Sequence, residues 1–91
     1  MNTYNGWTNY ATWRVGLEML DGIDPSDMGW NDLDAYDLGQ ALKEYCTEIL
    51  EQETNHRGIS VPLALSYALA FLDEVNWREI ANYMIEEYAD V

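Results

Sequence analysis

Cys46 and His56 are the only cysteine and the only histidine in the chain. A cysteine nucleophile and a histidine base are a pair of groups that could do covalent chemistry together. Their settings argue against that use. His56 stands in a polar stretch beside Arg57, and Cys46 falls at a helical repeat position with Leu38, Leu42 and Ile49, where a thiol packs as a small hydrophobe. Distance in sequence does not exclude a Cys–His pair, since folding assembles such pairs, but core packing is the preferred reading of Cys46. One Cys and one His make no zinc site without carboxylates. Asp21, Asp24 and Asp27 recur at every third position, whereas a calcium loop needs alternate ones, and an EF-hand register from Asp21 to Asp32 puts Ser26 where glycine is required. No glycine-rich phosphate loop is present, and Asn5-Gly6-Trp7 reads as a turn. Carboxylate pairs suited to acid–base work arise by chance in any chain this acidic. The expectation is a protein that is not an enzyme, with no cofactor and no dedicated metal site.

The carboxylates themselves are the remaining feature. Seventeen Asp and Glu face four Lys and Arg, a net charge of -13 over 91 residues, and Lys43 is the sole lysine. Four scattered cations cannot build a basic face, which excludes ordinary nucleic-acid binding. Such a charge also disfavours adsorption to anionic membranes. The chain is nonetheless 48% hydrophobic and 13% aromatic, which separates it from disordered acidic chains. Its length suits a single domain, residues 1–91.

Four helical segments can position these side chains. Thr8 or Asn9 is placed to cap the first, in which Tyr10, Trp13, Leu17 and Leu20 recur on one face and Gly16 implies a close helix neighbour. Residues 21–31 read as a loop, with Trp30 stapling the next helix to the core and Asn31 or Asp32 as its cap. The second helix is expected over 32–53. At 100° per residue, Ala35, Leu38, Leu42, Tyr45, Cys46 and Ile49 share one side, and Asp37, Glu44, Glu48 and Glu51 the other, with Asp34 at the edge. Ser60 and Pro62 open a third helix whose Leu63–Leu72 stretch has no charge, the pattern of a central, buried helix. The longest uncharged run, Gly58 to Leu72, is shorter than a membrane span. Asn76 to Glu79 matches a capping box opening a fourth helix. Trp77, Ile80, Ala81, Met84, Ile85 and Tyr88 are its expected inward face, and Glu79, Glu86, Glu87 and Asp90 add to the acidic surface. The expected fold is an all-α bundle of about four helices around a central apolar third. The first ten residues have neither the basic nor the apolar part of a secretion signal, and one cysteine permits no internal disulfide, so a cytoplasmic setting is expected.

The string Tyr4-Asn5-Gly6-Trp7-Thr8-Asn9-Tyr10-Ala11-Thr12-Trp13 resembles the opening of a family of short, acidic, uncharacterised proteins of bacteriophages, plasmids and prokaryotic genomes. Their usual opening reads Y-N-G-W-T-N-Y-x-T-W, often with Glu where Ala11 stands. Val75 to Ala81 is similar to that family's ending, which commonly has an acidic residue at the position of Asn76. The resemblance implies a mobile-element context and no assigned activity.

Two functional expectations result. In the first, the chain is a non-enzymatic inhibitor, a DNA mimic of the anti-restriction or anti-CRISPR type. Its acidic face, Asp34, Asp37, Glu44, Glu48, Glu51, Glu79, Glu86, Glu87 and Asp90, would occupy a basic, nucleic-acid-handling host protein. In the second, the chain is a structural or regulatory interaction module, compatible with a homodimer, that binds through aromatic surface near Trp7 or Tyr83. Its acids then serve only solubility or high-salt adaptation.

Overall fold

Asn5 and Gly6 both take positive φ, 48° and 88°. Tyr4 and Trp7 exchange two backbone hydrogen bonds of 2.8 Å across them. This is the two-residue turn that Asn-Gly favours, because glycine carries no Cβ penalty there and asparagine only a small one. It sets Tyr4 and Trp7 opposite one another as an isolated antiparallel bridge. Tyr4 meets Tyr10 edge-on at 5.1 Å between ring centroids and Trp13 at a tilt at 4.9 Å, and Trp7 lies 5.4 Å from Tyr83.

The structure, a computed structural model, describes residues 3–54 and 62–88. Its helices are α1 (Tyr10–Glu18), α2 (Ala35–Thr54), α3 (Pro62–Leu72) and α4 (Trp77–Glu87), an all-α bundle. The loop expected after α1 contains a short 3₁₀ turn, Pro25–Met28, capped by the Asp24 side chain and closed by Gly29 in the left-handed conformation. Trp30 follows and packs edge-on to Tyr45, 5.8 Å between centroids. The cap of α2 is Asp34, whose Oδ1 accepts the Asp37 amide at 2.8 Å, so the helix opens later than Asn31 or Asp32 would set it.

Caps also weld the two ends of the chain together. Asn9 caps α1: its Oδ1 accepts the Thr12 amide at 2.9 Å and the Thr12 hydroxyl at 2.6 Å. The same hydroxyl accepts the Asn76 amide at 2.8 Å, and the Asn76 side chain caps α4 by accepting the Glu79 amide. Asn9 Nδ2 donates to the Glu74 carbonyl at 2.8 Å. Thr12 is fully buried, the one buried polar residue among those described. A capping box would return the Glu79 carboxylate to the Asn76 amide. Thr12 takes that amide instead, which frees Glu79 to accept the Thr8 amide at 3.1 and 3.2 Å.

This junction reverses the expected face of α1. Ala11, Thr12 and Val15 point inward, whereas Tyr10 and Leu17 are exposed and Trp13 is half-buried. Small residues bring the helix close enough for Thr12 to reach Asn76. Leu20 is buried, but beyond the helix end. In α2, Leu38, Leu42 and Cys46 are buried as the periodicity predicts. In α4, Ile80, Ala81 and Met84 are buried, while Ile85 and Tyr88 are exposed.

The third helix departs most from expectation. It is not central: α2 occupies that place, packing most extensively on α4 and then on α3. Within α3 only Leu72 is buried, and Leu63 and Tyr67 are 68% and 72% exposed. The molecule measures 46 × 35 × 19 Å. Its short dimension holds about two helices of 10 Å diameter, and a slab two helices thick has no position covered on all sides. Ser60 lies outside the described residues.

The close approach expected at Gly16 occurs at Gly39. A Cβ on Gly39 would sit 3.3 Å from the Trp77 carbonyl carbon and 3.4 Å from the Arg78 nitrogen, whereas at Gly16 the nearest atom is 4.0 Å away. The two glycines therefore respond oppositely to alanine. Gly16→Ala should raise stability by up to about 1 kcal/mol through helix propensity. Gly39→Ala should lower it despite the same gain, because the capped start of α4 cannot retreat; urea unfolding reads both signs. Thr12→Val, equal in shape, should cost about 1–3 kcal/mol by orphaning the Asn76 amide, and an unchanged urea midpoint would show the junction to be dispensable.

Candidate functional site

The outer side of α2 carries the clearest charge pattern. Asp37, Glu44, Glu48 and Glu51 are all exposed on it, spread over about 21 Å at 1.5 Å per residue. Among the described residues the two salt bridges are Arg14–Glu18 at 2.7 Å and Lys43–Asp73 at 3.7 Å. Asp37, Glu44 and Glu48 belong to neither. Lys43, the cation within α2, is thus directed toward the end of α3 and away from the row. Asp34 is exposed at the row's start and doubles as the helix cap.

The acids of α4 do not extend this row. Glu79 is half-buried and holds the Thr8 amide. Glu86 and Glu87 part around Tyr83: Glu86 joins Glu79 beside a shallow depression against one side of the Trp7–Tyr83 pair, and Glu87 lines a deeper groove on the other. Asp90 lies outside the described residues. Trp7 and Tyr83, singled out by sequence as separate aromatic surfaces, are therefore one feature.

That groove is the arrangement sequence reasoning did not reach. It lies between α1, the turn after it, and α4, and encloses about 230 Å³. Trp7, Trp13, Tyr83 and Tyr88 supply aromatic walls, with Asp21 and Glu87 among the lining groups. The Tyr88 hydroxyl is held above its ordinary pKa, first by desolvation and then by Asp24, Glu87 and Asp21. Negative potential thus gathers at this end of α4. The signal in sequence was faint, because Trp7 and Trp13 lie some seventy positions from Tyr83 and Tyr88 and share a groove with them only in the tertiary structure.

Cys46 is fully buried on α2. Burial pushes its thiol from an ordinary 9.0 up to about 12, which keeps it protonated and unreactive at neutral pH. His56 falls outside the described residues. Among the described residues, no three His, Cys, Asp or Glu side chains gather as a metal site, and no helix is long and apolar enough to cross a membrane.

No match is found to a protein-family model, a curated protein or a solved structure. The site must therefore be read from its own geometry.

Cys46 provides a direct check. Its thiol should resist an aromatic disulfide reagent in the native protein at pH 8 and react at once in urea. Its pKa is raised on folding, so its stability contribution is intact below about pH 9 and is lost toward pH 12. Native-state labelling as fast as that of the unfolded chain would contradict this burial.

Proposed function

We propose that the protein is a non-enzymatic binding module whose α2 carboxylate row occupies a basic surface on a nucleic-acid-handling partner. The observation carrying this reading is Asp37, Glu44 and Glu48 aligned and exposed on one helix, outside both described salt bridges. With Glu51, the row presents four carboxylates in about 21 Å, against about six phosphates along the same length of one DNA strand and about twelve on a duplex. Its charge density is nearer that of a single strand. Like-charge pairs such as Glu44 and Glu48, four residues apart, cost a helix a few tenths of a kcal/mol, roughly. A surface held against that cost is explained by a cationic partner that relieves it. The resemblance to acidic mobile-element proteins supports a host defence nuclease as the partner class, as in anti-restriction or anti-CRISPR proteins, and action in the host cytoplasm. On this reading the chain does not bind nucleic acid or membranes itself.

A second reading rests on α3. Pro62–Leu72 has no charged residue in a chain of net charge -13, and Leu63 and Tyr67 stand exposed one helical turn apart. Two copies can meet there with the least like-charge repulsion, giving a homodimeric interaction module.

Neutralising the row (Asp37→Asn, Glu44→Gln, Glu48→Gln) should leave helix content intact, since relief of the Glu44–Glu48 repulsion offsets the loss of Asp37 from the first turn of α2. Pull-downs from host lysate test the first reading. The native chain should capture a basic protein that DNA and salt release and that the neutralised variant fails to hold. Capture indifferent to both DNA and neutralisation would overturn the decoy. For the second reading, light scattering should report a dimer that Leu63→Asp with Tyr67→Asp converts to a monomer.

A further inference from the structure

The groove between α1 and α4 has a chemistry distinct from that of the α2 row. Trp7, Trp13, Tyr83 and Tyr88 contribute rings to its walls beside Leu17, Leu20 and Ile80, and a ring face carries negative quadrupole charge. Carboxylates Asp21 and Glu87 line it, and no Lys or Arg does. Every electrostatic feature there favours a cation. Its volume, about 230 Å³, falls below the roughly 300–1,000 Å³ of pockets for drug-sized ligands, and suits one side chain inserted from a partner.

We propose that this groove receives a single arginine side chain presented by a basic partner protein. The guanidinium is planar and weakly hydrated, so it can lie against an indole or phenol ring while its edge donates to carboxylates. A lysine ammonium, being a compact and strongly hydrated point charge, is less suited to do both. Trp7 and Tyr83, 5.4 Å apart and tilted by 57°, offer the stacking surface. Asp21 and Glu87 supply acceptors from opposite banks, the turn after α1 and the end of α4. The chain already makes the same pairing internally: the Arg14 guanidinium lies 6.0 Å from the Tyr10 ring centroid while its Nε donates to Glu18. Gly16 also lines the groove, and its lack of a side chain keeps the groove open. The choice of a protein as the source of the arginine rests on the function proposed above. The cation site itself rests on the groove alone.

The test uses the full chain and N-acetyl-arginine amide, with the neutral, nearly isosteric N-acetyl-citrulline amide as control, followed by amide and indole NMR shifts. Saturable shifts are expected at the indole N–H groups of Trp7 and Trp13 and at the Gly16 and Gly22 amides. Citrulline amide should bind about tenfold more weakly, since it lacks the charge that cation–π attraction requires. Asp21→Asn with Glu87→Gln should weaken arginine binding about fivefold, the scale of exposed ion pairs. Gly16→Leu should fill the groove and abolish binding. Both variants should keep native spectra elsewhere. Absent or non-saturable shifts, equal binding of citrulline, or indifference to these substitutions would each overturn the site. Neutralising the α2 row should leave groove binding unchanged. In the native chain, groove binding without DNA-releasable capture from lysate removes the partner reading alone, and such capture without groove binding removes the groove alone.

Discussion

The Thr12 hydroxyl, fully buried, donates to Asn9 Oδ1 and accepts from the Asn76 amide. A hydroxyl can do both at once, which neither valine nor alanine can imitate. Through it, the N-cap of α1 and the N-cap of α4 become one hydrogen-bonded unit, joining positions 64 residues apart. The consequences spread outward. The junction turns the small face of α1 inward, leaves the Glu79 carboxylate to hold the Thr8 amide, and sets Trp7 against Tyr83.

The molecule is thin, 19 Å in its shortest dimension. In a slab about two helices deep, α2 can be flanked by α3 and α4, but no helix can be enclosed. The apolar third helix therefore stays largely exposed, at odds with its composition. Hydrophobicity sets what a helix gains from burial, but the neighbours available set how much burial occurs. Gly39 serves the same economy of space: without a side chain it lets α2 approach the backbone of Trp77 and Arg78, closing the main packing contact tightly.

Charge is arranged around that core in two different ways. On α2, Asp37, Glu44 and Glu48 form an exposed row outside both salt bridges seen among the described residues. At the end of α4 the acids alternate with aromatic rings, so that Glu86 and Glu87 fall on opposite sides of Tyr83. A carboxylate beside a ring face gives a cation both a point charge and a quadrupole to meet, whereas a row of carboxylates gives long-range attraction that salt screens. The proposed steering by the row and the proposed anchoring in the groove therefore draw on different physics.

Local pattern decided much of this protein. The four helices, the buried stripe Leu38–Leu42–Cys46, the Asn5-Gly6 turn, the Asn9 and Asn76 caps, and the exposed carboxylates of α2 were all legible from spacing, because each depends on residues within a few turns of one another. Other features were not legible: the inward face of α1, the exposure of α3, the close approach at Gly39 in place of Gly16, and the aromatic groove. Tyr10, Trp13 and Leu17 form as regular a stripe as any core face, yet Ala11, Thr12 and Val15 are the residues inside. Periodicity reports which side of a helix is apolar. Which side is buried depends on the segment it meets, and here a buried hydroxyl shared between two distant helix caps makes that choice.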